Sequence, residues 1–172
     1  MYKRQPFAHR LRLDARMEPG ALRVELTVIA SAGDAVPLAF GFHPYLSLPH
    51  LPRAKWQLEL PLGERLPLDA RGLPSGEQRA APIEPGPIAG RRFDDLYRSA
   101  APGTPLALSG GGRRIELTMD AGYPYTQVFA PAGEELLAIE PMTAPTDALA
   151  RGAAPLLEPG ASFAAGFSIG VS

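Results

Sequence analysis

Apolar and polar side chains alternate through much of this 172-residue chain, with the period of two that sends successive residues to opposite faces of an extended strand. In Leu22-Arg23-Val24-Glu25-Leu26-Thr27-Val28, four apolar residues hold one parity and three polar residues the other, so one face is dry and one wet. Arg10-Leu11-Arg12-Leu13-Asp14 alternates likewise, and Glu18-Pro19-Gly20 supplies a turn between the two runs, which predicts a hairpin. Lys55 to Leu60 and Arg114 to Met119 repeat the pattern. Further strands are expected at Pro37 to Phe42, Pro105 to Ser109, Tyr125 to Ala130, Glu135 to Glu140 and Ser162 to Ile169; in the last, Phe163, Ala165, Phe167 and Ile169 share a face. That makes about nine strands, with no internal repeat. Helix is expected only as a turn or two at Thr146 to Arg151, capped by Thr146 and stopped by Gly152.

Twenty prolines and eighteen glycines would suggest disorder in an unpatterned chain. Here they punctuate short alternating runs, which is how an all-β chain reads. Leu62 to Arg92 is the exception, a stretch of Pro, Gly, Arg, Glu and Ala with little alternation and longer than most loops in compact domains. It either holds short irregular strands, lies over a sheet, or forms a mobile loop.

Seventeen Lys and Arg against eighteen Asp and Glu leave a net charge of -1 and no basic run to neutralise a phosphate backbone, so nucleic acid is not an expected partner. No apolar stretch approaches the roughly eighteen residues of a membrane span, and Met1 to Pro6 lacks the apolar run of a signal peptide. A cytoplasmic location is expected. The absence of cysteine excludes disulfides, thiol nucleophiles and thiolate metal sites, and leaves His9, His43 and His50 for imidazole chemistry.

Three segments carry candidate chemistry. In Phe40-Gly41-Phe42-His43-Pro44-Tyr45-Leu46, His43 ends an apolar strand and Pro44 biases its backbone towards extended geometry; it is either a site histidine or a core histidine bonded to a carbonyl. In Phe93-Asp94-Asp95-Leu96-Tyr97-Arg98 adjacent carboxylates face opposite ways, so one of them enters a given cavity unless the pair merely caps a loop. Glu140 shares parity with Leu136 and Ala138, a carboxylate on an otherwise apolar face. Burying it is costly unless it is bonded or used.

Together these segments resemble the aldose 1-epimerase family, the galactose mutarotases and their relatives, from about Leu22 to Ile169. Gly41-Phe42-His43-Pro44-Tyr45 is similar to the family's His-(Pro or Ser)-Tyr strand end, and Phe93-Asp94-Asp95 to its aromatic-Asp segment. Gln127-Val128-Phe129, Ile139 to Ala148 and Leu157-Glu158-Pro159-Gly160 follow in the family's order. The resemblance implies a large antiparallel β-sandwich, one domain over residues 1–172 that lacks the family's N-terminal portion. It implies a small-molecule sugar substrate and interconversion of the α and β anomers of an aldose, which one acid and one base accomplish with no metal or cofactor. Glu140 matches the general base, His43 the general acid, and Asp94 a ligand of sugar hydroxyls, with Asp95 the alternative in that doublet. Gln127 is expected to line the cleft, and Tyr45, Phe93, Tyr97 and Trp56 are candidate aromatic platforms, Trp56 being equally a core residue. Ile139, Leu137 and Pro141 are the expected source of an apolar surround that raises the Glu140 pKa.

The family's N-terminal portion contributes a second active-site histidine and a sugar-gripping arginine, neither of which has a counterpart here, and His9 does not take that histidine's place. The chain is then either a reduced sandwich or a segment of a longer polypeptide, and the strand edge and apolar surface left open would favour a homodimer. Two other functions are consistent with the same residues. One is a noncatalytic carbohydrate-binding or interaction module; the other is a hexose-6-phosphate 1-epimerase, with Arg91-Arg92 meeting the phosphate.

Overall fold

A computed structural model describes residues 6–172, so the reading of Met1 to Gln5 lies outside the described residues. The chain forms β1 (His9–Glu18), β2 (Ala21–Ala30), β3 (Val36–Pro37), β4 (Tyr45–Leu46), β5 (Gln57–Glu59), β6 (Glu64–Leu66), β7 (Arg79–Ala80) and β8 (Gly86–Pro87). It continues with β9 (Phe93–Arg98), β10 (Leu106–Gly110), β11 (Arg113–Met119), β12 (Tyr125–Ala130), β13 (Leu137–Met142), β14 (Leu156–Leu157) and β15 (Ser162–Val171). Every pairing between them is antiparallel, in a seven-stranded sheet ordered β1-β2-β15-β11-β10-β5-β8, a six-stranded sheet ordered β4-β13-β12-β9-β6-β7, and a small β14-β3 pair.

The two large sheets close on one apolar core. Leu108 and Leu117 of the first sheet and Val128 and Ile139 of the second are fully buried in the same cluster, with Trp56 at its centre donating its indole N–H to the Leu51 carbonyl at 2.8 Å. The architecture is the expected large antiparallel sandwich. The nine expected strands become fifteen because several added segments are only two or three residues long. Strands β1, β2, β11 and β15 run longer than expected, and four other ranges shift or shrink. Pro37 to Phe42 contributes only Val36–Pro37 and a bridge from Gly41 to Met142, Lys55 to Leu60 shrinks to Gln57–Glu59, Pro105 to Ser109 moves to Leu106–Gly110, and Glu135 to Glu140 moves to Leu137–Met142.

The β1–β2 hairpin turns at Pro19-Gly20, where Gly20 adopts a φ of 71° that favours glycine. Its expected dry face is only half realised. Val24 and Val28 on β2 are buried, whereas Leu11, Leu13 and Met17 on β1 remain exposed because the second sheet does not extend beneath β1. Thr146 to Arg151 forms a turn rather than a helix: Asp147 takes a φ of 69°, which a right-handed helix cannot propagate through. Leu62 to Arg92 holds three short strands, and its buried Leu62, Ile83 and Ile88 join the core. No helix among the described residues is long and apolar enough to cross a membrane.

Candidate active site

The site lies on the outward face of β9, β12 and β13. Cross-strand partners share a face, so Gln127 opposite Glu140 and Phe129 opposite Asp94 point the same way. The intervening residues Val128, Ile139 and Leu137 point into the core, all with no exposed surface.

His43 reaches this face by register. Gly41 bridges Met142, Tyr45 pairs with Ala138 and Leu46 with Leu137, and this register carried through the gap sets His43 opposite Glu140. The amide of Phe42 donates to the Pro141 carbonyl at 3.1 Å and that of Thr143 to the Phe40 carbonyl at 2.9 Å, which docks the segment on β13. Between these anchors Pro44 and Pro141 have no amide hydrogen to give, so the ladder is gapped beside the two site residues. Gly41 permits the approach: a Cβ there would sit 2.6 Å from the Pro141 carbonyl oxygen.

His43 Nε2 stands 3.1 Å from Glu140 Oε1. The histidine ring lies half exposed, while the Glu140 side chain keeps 14% of its surface. Burial pushes the Glu140 carboxyl above its ordinary pKa; His43 pulls it partly back, and the charge of Asp94 adds to the rise. Leu137 and Ile139, expected from sequence to supply an apolar surround, instead face the core on the opposite side of the strand from the carboxylate. Gln127 donates its amide N–H to Asp94 Oδ1 at 2.8 Å. The ring of Tyr45 lies 4.5 Å from that of His43, and Phe129 lies edge-on to His43 at 6.3 Å.

These groups border a cavity of about 390 Å³, within the usual range for small-molecule sites. His43, Tyr45, Asp94, Gln127 and Glu140 line it, joined by Phe129 and Met142 from the same strand face. Leu68 and Gly72, from the irregular segment after β6, and Thr146 complete the lining. Parity alone finds Phe129 two residues beyond Gln127 and Met142 two beyond Glu140, whereas Leu68, Gly72 and Thr146 carry no sequence signal for this role.

Other candidates lie elsewhere. Phe93 and Tyr97 point into the core, and Phe93 instead packs under the guanidinium of Arg91. Trp56 is entirely buried. Asp95 turns to the core side, where it pairs with Arg65; burial raises its pKa, and Arg65 opposes the rise. Arg91 donates to the Glu84 carbonyl, neither it nor Arg92 lines the cavity, and His9 binds the Phe7 carbonyl well away from it.

The family model described as aldose 1-epimerase matches residues 3–170, a longer span than the Leu22 to Ile169 of the sequence motifs. The galactose mutarotase-like protein of Clostridium acetobutylicum superposes with a TM-score of 0.84 at 16% identity, covering 100% of this chain and 60% of that one. The galactose mutarotase related enzyme of Lactobacillus acidophilus gives 0.80 at 17% identity, covering 97% and 62%. The GalM/aldose epimerase homologue of C. elegans gives 0.72 at 19%, covering 89% and 56%. These likenesses show a common fold, and the chain spans about three-fifths of the length of those structures. A search of curated proteins finds no match.

Proposed function

The chain belongs to the aldose 1-epimerase family, and from that premise we propose that it interconverts the α and β anomers of a free aldose, with Glu140 as general base and His43 as general acid. The observation that carries this reading is the 3.1 Å approach of His43 Nε2 to Glu140 Oε1 at the edge of an open cavity. Ring opening removes the proton from the C1 hydroxyl and delivers one to the ring oxygen. Both oxygens belong to one carbon, so acid and base must converge on a single point, and cross-strand neighbours do.

In this reading Glu140 takes the hydroxyl proton, His43 protonates the ring oxygen, and C1 becomes an aldehyde. Rotation about the C1–C2 bond presents the other face, and the reverse transfers close the ring. The raised pKa of Glu140 brings the base closer to neutrality, which favours a reversible transfer. Asp94, held by Gln127, accepts bonds from sugar hydroxyls, and Tyr45 offers a ring face at the rim.

Polarimetry of freshly dissolved α-glucose or α-galactose tests the proposal. The protein should speed the approach to anomeric equilibrium, and Glu140→Gln and His43→Asn should each reduce that acceleration by 100-fold or more, roughly the worth of a general acid or base. No acceleration above buffer rejects catalysis.

One observation favours a second reading, a noncatalytic sugar-binding module: the described lining residues include no arginine or lysine and one histidine. Calorimetric heat of binding with no anomerisation would select it. The same lining, with two carboxylates and no arginine or lysine, gives the hexose 6-phosphate reading less support than a neutral sugar.

A further inference from the structure

Three of the four edges of the two large sheets, at β4, β7 and β8, are two residues long, whereas β1 at the fourth is ten. Its register with β2 runs unbroken from His9 opposite Ala30 to Glu18 opposite Ala21, so no bulge bends the edge away, and no proline interrupts it. The Ser31 amide donates to the Ala8 carbonyl at 3.0 Å. Even-numbered residues of β1 therefore turn their backbone groups to β2, and odd-numbered ones turn theirs to the open edge. The odd side chains lie on the inner face, where Leu11, Leu13 and Met17 are 57%, 59% and 80% exposed.

We propose that β1 is a dimerisation strand, pairing antiparallel with β1 of a second copy about a twofold axis through Ala15. In that register Ala15 meets the second copy's Ala15, and Leu13 meets its Met17. Both are odd-numbered, so their free N–H and C=O groups exchange hydrogen bonds. Arg12 falls opposite Glu18 and Asp14 opposite Arg16, each contact occurring twice by symmetry. These are non-hydrogen-bonded pairs, in which side chains approach most closely and opposite charges gain most.

Neighbouring registers mix attraction with repulsion. Centring on Leu13 sets Arg12 against Asp14 but Arg10 against Arg16. Centring on Asp14 sets Arg10 against Glu18 but Asp14 against itself and Arg12 against Arg16, whereas the Ala15 register brings no like charges together. The charge order of β1 thus selects its own copy in one alignment, and the apolar strips of both copies fall on the same side of a continuous sheet.

Sedimentation of the 172-residue chain over a concentration series tests this. The parent should form a species of two 18.3 kDa chains. Asp14→Arg sets cations face to face and Arg16→Glu sets carboxylates face to face, so each alone should weaken dimerisation by about tenfold or more. An equimolar mixture of the two variants restores every opposite-charge contact and should dimerise again. Arg16 is exposed, whereas Asp14 is half-buried and ion-paired with Arg12 of its own strand at 2.8 Å, so circular dichroism checks that each variant keeps its fold. A parent that stays at 18.3 kDa, variants that dimerise as tightly as the parent, or a mixture no better than its components overturns the proposal. A strictly monomeric parent would leave the edge to further strands of a longer polypeptide.

Discussion

Replacing Glu140 by glutamine should cut catalysis by about 100-fold or more and also stabilise the protein. The carboxyl is held above its ordinary pKa by burial, so folding favours its protonated form. Its contribution to stability is full below the unfolded-state pKa and is lost as pH rises through the higher folded-state value; at neutral pH the ionised group is therefore a cost. Glu140→Gln should raise Tm at pH 7 by a few degrees, for about 1 kcal/mol, and the gain should vanish near pH 4 in a thermal unfolding series. The same shift places the acid limb of the pH–rate profile above the ordinary glutamate range of about 4.3, because the base fails as it protonates. The Asp doublet separates function from stability in another way. Asp94→Asn should weaken sugar binding and leave the unfolding midpoint within about 0.5 kcal/mol. Asp95→Asn should leave sugar binding unchanged; it strips the partly exposed Arg65 of its partner but removes a carboxyl that burial holds above its ordinary pKa, so the two effects oppose and the unfolding midpoint should move by no more than about 1 kcal/mol. Chemical denaturation and calorimetric binding on the two variants read both effects.

The segment from Phe40 to Leu46 holds His43 against β13 through close backbone approach, and Gly41→Ala tests how tightly. The added methyl would meet the Pro141 carbonyl oxygen, so the segment must shift; a loss of about 1–3 kcal/mol is expected, together with a fall in kcat larger than that in 1/KM, since His43 moves relative to Glu140. Much of this element was visible in sequence. His43 held between Phe42 and Pro44, and Glu140 breaking an apolar parity, mark both residues as unusual. Their meeting was not visible, because it depends on a register between two strands nearly a hundred positions apart. Alternation located β2, β11, β12 and β15 because each has one buried face. It misread β1, whose local pattern is the same but whose burial depends on a sheet that does not reach it. It also stopped β13 at Glu140, although Pro141 loses only its amide bond towards Phe42 and the strand continues.

The whole protein pairs one long open strand edge with an open cavity on the second sheet. If β1 joins two copies, Tm should rise with protein concentration for the parent, and Asp14→Arg should need at least about tenfold more protein to show the same rise, as mass action requires when association stabilises only the folded state. A differential scanning series over two decades of concentration would show it. The strands that carry the cavity have a different consequence. Along β12, residues 125, 127 and 129 belong to one side and the alternate positions to the interior, so evolution can rewrite what is recognised without disturbing what holds the sheets together. A library varied at Tyr45, Gln127 and Phe129 alone should therefore return mostly well-folded protein with altered preferences among sugars.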